Sequence, residues 1–280
     1  MTNTLAWLGF RFGLPAGWEV TAYRLTPARG EFRFHERLVD RGQLTWVKMA
    51  AKPDLEGLAR EIVDRQLRSA GQAEIGATVT RLGPWTVARA RHGEPFQAMA
   101  WVPHDKRLLH WTFPAWEGDG DAQPWRGLLA SLVAEPGDEV LWELFGARVL
   151  LPRRFALVEV DARPGAVRIE FADPAGVSVT TRRLGMAKAL LAERPLSAWL
   201  RRSLFADKAR VDQLQETARE GMPAVRAAFS LIGERTLDRV AWRRWPGEAW
   251  WWHDSASNRI LALEQVGPAK APRVELTRAR

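Results

Sequence analysis

Gly9-Phe10-Arg11-Phe12-Gly13-Leu14-Pro15-Ala16-Gly17-Trp18 returns at one constant offset as Gly146-Ala147-Arg148-Val149-Leu150-Leu151-Pro152-Arg153-Arg154-Phe155. Gly9 falls on Gly146, Arg11 on Arg148, Leu14-Pro15 on Leu151-Pro152 and Trp18 on Phe155, and further on Pro27 falls on Pro164. Matches that keep their order mark an internal repeat, which fixes the unit of folding before any motif is weighed. A slip of two residues then sets Phe32-Arg33-Phe34 on Val167-Arg168-Ile169, an alternating strand pattern in both copies. Later the offset widens. Gly83, Thr86-Val87 and Arg89 meet Gly233, Thr236-Leu237 and Arg239; Gly93-Glu94 meets Gly247-Glu248, and Arg107-Leu108-Leu109 meets Arg259-Ile260-Leu261. The widening places an insertion in copy two between Gly185 and Met222.

The 280 residues therefore read as a first copy over 1–137, a second over 138–267 with a longer helical insertion, and a frayed tail over 268–280. Each copy is long enough to bury a core of its own. Copy one opens with alternation at Phe10, Phe12 and Leu14, turns at Pro15–Gly17 and continues in short strands. After Pro53 the period changes: Leu55, Leu58, Ala59, Ile62, Val63 and Leu67 follow helical spacing behind Asp54, a residue suited to cap a helix. More strands follow, and Trp125, Leu128, Leu129 and Leu132 close the copy with a short helix. In copy two Leu196, Trp199, Leu200, Leu204, Val211 and Leu214 predict one long helix over 196–219. The expected fold class is α+β, a tandem duplication of an antiparallel-sheet domain with one main helix packed on the sheet and a short closing helix.

Composition narrows the function classes. There is no cysteine, which excludes disulfides, thiolate catalysis and the common structural zinc sites, and which fits the cytoplasm. No apolar run is long enough for a membrane helix, so no membrane insertion is expected. Residues 1–137 hold 17 Lys and Arg against 15 Asp and Glu, and residues 138–280 hold 24 against 18, so the positive excess lies mainly in copy two.

The strings Leu14-Pro15-Ala16-Gly17-Trp18, Val63-Asp64-Arg65-Gln66-Leu67 and Trp125-Arg126-Gly127-Leu128-Leu129-Ala130-Ser131-Leu132, within this order of elements, resemble the DcrB-like and PsbP-like α+β families. They look most like the DcrB-related chaperones that escort type VI secretion effectors, and the resemblance is best over copy one. It implies a small dimeric holder of apolar client helices, of which a fused pair would be a covalent pseudo-dimer.

Catalytic strings are missing. There is no phosphate-binding glycine loop, no dinucleotide fingerprint, no serine elbow and no metalloprotease helix, so no catalytic residue, metal or cofactor is expected. His104-Asp105 and His253-Asp254 fall at the same hairpin tip in each copy and read as turn formers.

Tryptophan is the sharper signal. Trp242, Trp245, Trp250, Trp251 and Trp252 crowd one stretch of copy two, and Trp101 and Trp111 occupy the matching region of copy one. In a strand Trp250 and Trp252 point one way and Trp251 the other, so both faces must be covered or sticky. These seven residues are the candidate surface for a protein partner, in a non-enzymatic adaptor or chaperone-like role carried out by a monomeric pseudo-dimer or a homo-oligomer. The alternative is nucleic acid or another polyanion on an Arg-rich face formed by Arg239, Arg243, Arg244, Arg182, Arg183, Arg201 and Arg202. A third reading is an enzyme with a cleft between the copies, for which no residue stands out.

Overall fold

The repeated segment is a hairpin in each half of the chain. β1 (Asn3–Trp7) pairs antiparallel with β2 (Phe10–Leu14), and β11 (Glu139–Leu144) with β12 (Ala147–Pro152). Each hairpin closes through two residues of positive φ, 52° and 80° at Leu8-Gly9, and 52° and 71° at Phe145-Gly146. Such a turn matches the twist of the flanking strands, and glycine takes its second position without steric cost.

The computed structural model describes the chain apart from residues 1–2, 27, 73, 91–94, 116–122, 204–208, 233–243 and 270–280. The chain divides into two compact units, Met1–Pro136 and Gly137–Arg280. Unit 1 is built on a seven-stranded antiparallel sheet whose order is β3 (Trp18–Leu25), β4 (Arg29–Glu36), β5 (Val39–Lys48), β9 (Arg107–Phe113), β8 (Phe96–Val102), β7 (Trp85–Arg89) and β6 (Thr78–Leu82). On one face the β1–β2 hairpin packs Trp7, Phe10 and Phe12 against Phe32, Trp46 and Trp111, with Trp7 and Phe32 edge to face at 5.5 Å. The same face is completed by α2 (Pro124–Ala130), whose Trp125 lies 4.7 Å from Phe96 and 6.3 Å from Phe113. A short strand after it, β10 (Val133–Ala134), pairs with β2. On the other face α1 (Leu55–Ser69) buries Ala59, Val63 and Leu67 against Ala88, Met99 and Leu108. Its N-cap is Asp54, whose carboxylate accepts from Glu56 N at 3.1 Å.

Unit 2 repeats this order with β13 (Ala156–Arg163), β14 (Ala166–Ala172), β15 (Ser178–Gly185), β19 (Arg259–Val266), β18 (Arg244–Asp254), β17 (Met222–Ile232) and β16 (Ala209–Arg219). Its hairpin places Trp142 4.8 Å from Phe171 on one face. On the opposite face α3 (Ala187–Leu191) and α4 (Leu196–Ser203) cover Val225, Ala227, Ala249, Trp251 and Ala262.

Three expectations are corrected. Of the described residues 58% lie in strands and 16% in helices, so the fold is mostly β and not α+β. The long helix expected over 196–219 stops at Ser203, and Ala209–Arg219 is a strand. A bulge between Val211 and Gln213 breaks its period of two and leaves apolar residues at helix-like intervals. The insertion also lies elsewhere. Gly30 pairs with Trp46 as Val167 pairs with Arg183, and Phe34 with Gly42 as Phe171 with Val179, so the opening offset holds with no slip through these strands. The extra length falls between β17 and β18: Trp85 pairs with Ala100 and Val87 with Ala98, in the positions where Ala224 pairs with Trp252 and Arg226 with Trp250. The tail from Lys270 on and the matched Gly93-Glu94, Gly233 and Thr236-Leu237 lie outside the described residues.

Candidate functional site

β18 carries Trp250-Trp251-Trp252, and strand alternation sends the middle ring to the opposite side from its neighbours. Trp251 is fully buried under α4, 6.1 Å from Trp199. Trp250 and Trp252 are half-buried on the other face, where Trp250 stands between Arg226 of β17 and Leu263 of β19, and Trp252 between Ala224 and Leu261. Two guanidinium groups stack on these rings. Arg219, the last residue of β16, lies 4.3 Å from the Trp252 centroid and 5.9 Å from that of Trp250, and Arg226 lies 5.7 Å from Trp250. Arg226 Nε also donates to Glu248 Oε1 at 2.7 Å. Beyond them a cavity of about 390 Å³ is lined by Gln213, Gln215, Arg226, Glu248 and Gln265. Burial pushes the Arg219 guanidinium below its ordinary pKa, with Glu220 opposing, yet a guanidinium keeps its charge at neutral pH.

Register makes the contrast with unit 1 specific. The unit 1 residues in the places of Trp250, Trp252, Arg226, Glu248 and Gln265 are Ala98, Ala100, Val87, Phe96 and Phe113. All five are buried, and Trp125 of α2 seals Phe96 and Phe113. In unit 2 the two phenylalanines become a glutamate and a glutamine, so an apolar helix like α2 has no matching seat there. Among the described residues this half of the unit 2 sheet has no such cover, and it carries amides, an ion pair and cation-stacked indoles. The arrangement can hold another surface. Among the described residues no group of three His, Asp or Glu could hold a metal.

The other expected site residues scatter. Trp111 is fully buried against Phe34 at 4.8 Å and Trp251 is buried likewise, so neither can belong to a partner surface without unfolding; both are corrected to core residues. Trp101 is half-buried beside α1, lining a groove with Asp54, Glu56 and Arg81. Trp245 pairs with Leu231 at the opposite end of β18. Trp242, Arg239 and Arg243 lie outside the described residues, as does the side chain of Arg244. The remaining arginines do not share one face. Arg182 and Arg183 are consecutive on β15 and point opposite ways; Arg182 pairs with Glu264 at 3.1 Å, and Arg201 and Arg202 are exposed on the last turn of α4. Burial raises the Glu264 pKa, with Arg182 opposing. Arg219, Arg226 and Glu248 were missed by sequence reasoning, because a helix over 196–219 hides the hairpin that brings Arg219 to the tryptophans. The hairpin-tip reading of Asp254 agrees with its geometry, since its carboxylate accepts from Ala256 N at 3.1 Å and Ser257 N at 3.2 Å.

No helix among the described residues is long and apolar enough to cross a membrane. No protein-family model matches the chain, DcrB-like and PsbP-like families included, and no curated protein matches it. Solved structures similar to it include the T6SS immunity protein TplEi of Pseudomonas aeruginosa, 12% identical over 97% of this chain and 89% of that one, with a TM-score of 0.36. The Tle4–Tli4 complex is similar over 100% of this chain and 89% of the other, at 10% identity and a TM-score of 0.35. A protein of Bacteroides thetaiotaomicron VPI-5482 is similar at 16% identity and a TM-score of 0.32, over 51% of this chain, which spans 54% of that one.

Proposed function

We propose that the chain is a non-enzymatic binding protein whose second unit presents the face of Trp250 and Trp252, with Arg226, to a protein partner; the buried Arg219 backs the two rings. The observation that supports it is the exchange of a sealed apolar face in unit 1 for an indole and guanidinium face in unit 2. Trp and Arg are the side chains that most often dominate protein interfaces, because each combines a large stacking surface with a hydrogen-bonding edge. Glu248 and the exposed glutamines Gln213 and Gln215 supply polar groups of both senses around them. The proposed location is the cytoplasm, on the lack of cysteine, and cell fractionation tests it.

The test compares tagged parent with a Trp250→Ser, Trp252→Ser double variant, purified side by side from native cells at high salt. A discrete protein should accompany the parent and be lost from the variant. Loss of two such anchors weakens a complex by roughly a hundredfold or more. Equal recovery from a variant with unchanged thermal stability would remove this face from the binding site.

A further inference from the structure

We propose that unit 2 holds a discrete oxyanion site, for a phosphate or carboxylate group, formed by Arg183 and Arg259 over the Phe145-Gly146 turn. The site does not rest on the protein-binding reading, since Arg183 and Arg259 take no part in the tryptophan face. A methyl group built on Gly146 would lie 3.3 Å from Arg259 Nη1 and 3.4 Å from Arg183 Nη1, so both guanidinium groups converge on one glycine. Two like charges brought side by side repel each other, the more so where they are partly buried. Among the described residues neither has a carboxylate within ion-pair distance, and Arg183 Nε is buried without a hydrogen-bond partner. Asp254 faces Arg259 in the ladder and is held lower in pKa partly by it, but its carboxylate already accepts from Ala256 N, Ser257 N and the Ser257 hydroxyl.

Unit 1 shows what this place does when it is structural. There Trp46 occupies the register position of Arg183 and packs 5.0 Å from Phe32 and 6.4 Å from both Trp7 and Phe10. Arg107 occupies that of Arg259 and is buried with its guanidinium on Asp105. Unit 2 has replaced the indole by a second guanidinium, and the direct ion pair of Arg107 with Asp105 gives way to Asp254, which faces Arg259 in the ladder but makes no ion pair with it. Burial and the neighbouring Arg259 both press the Arg183 pKa down, so the charged pair is held at a cost that a bound anion would relieve. Two guanidinium groups with their Nη1 atoms beside one glycine suit a ligand with two or more acceptor oxygens.

Arginine side-chain Nε–H resonances of the full chain, followed during titration with sodium phosphate, sodium acetate or sodium chloride at matched ionic strength, provide the test. Arg183 and Arg259 should shift saturably with phosphate, while Arg201 and Arg202 do not and chloride has no effect. A parallel response to acetate assigns the site to carboxylates as well, including those of a partner's side chains; phosphate alone assigns it to phosphate groups. Arg259→Gln should weaken binding about tenfold or more. Arg183→Met, which returns an apolar side chain to the place of Trp46, should abolish binding without lowering the melting temperature measured in chloride. Shifts that grow linearly in every salt, or an affinity unchanged in Arg259→Gln, would overturn the site.

Discussion

Three consecutive indoles at 250–252 have opposite fates because a strand turns every second side chain away. Trp251 touches the α4 core and is fully buried, whereas Trp250 and Trp252 lie against arginines. Trp251→Ala should therefore cost about 3–5 kcal/mol in urea unfolding, and Trp252→Ala markedly less. A second residue sets a pH limit on unit 1. His110 is pushed down from 6.5 to about 4 by burial, and its Nε2 lies 2.6 Å from Gln97 Oε1. The unfolded chain binds a proton at this ring near pH 6.5 and the folded chain only near pH 4. Stability present above pH 6.5 is thus lost as the pH falls towards 4, by up to about 3 kcal/mol for this group. Urea midpoints across that range should show the decline, and His110→Gln should flatten it. At this scale the sequence was legible where period alone decides, as in the split of Trp251 from its neighbours. It was not legible where a cross-strand partner decides, as for Arg219 on Trp252 or for Trp111, whose burial depends on Phe34 and Phe12 from distant strands.

Among the elements, α1 could be read directly because its apolar spacing and its cap agree. Asp54→Ala should cost about 1 kcal/mol of stability by removing the acceptor for Glu56 N. The helical stretch of unit 2 misled because a bulge in β16 imitates helical spacing, and because the true helices are short. Ala192 and Glu193, at φ of 45° and 65°, end α3 before α4 begins. β18 itself depends on a glycine where it crosses a ring: a methyl group on Gly247 would lie 2.6 Å from the Phe229 ring. Gly247→Ala should destabilise the chain by about 1–3 kcal/mol in the same unfolding assay, through overpacking and not through loss of any contact.

Across the whole chain, the two units share one sheet order; one face carries α1 in unit 1 and α3 with α4 in unit 2, and among the described residues they differ in what covers one half of the other face. The repeat was visible in Gly9 and Gly146 and in Leu14-Pro15 and Leu151-Pro152, since a two-residue turn and a strand end constrain their residues tightly. The balance of helix and strand was not, because Val211 and Leu214 of the bulged strand continue the apolar spacing of α4. The match of Arg107 with Arg259 already carries Phe113 to Gln265, but the sequence set Glu94 and not Phe96 on Glu248, since that register emerges only from the pairing of β8 and β18 with their neighbours. The change from Phe96 and Phe113 to Glu248 and Gln265 underlies the proposed binding face. Its most direct test is photocrosslinking in native cells, with a photoreactive amino acid introduced singly at position 250, at 252, or at the exposed Val158 as control. The account predicts one and the same protein crosslinked from 250 and 252 and not from 158; a crosslinked protein seen only from 158, or none from 250 and 252 in a folded chain, would contradict it.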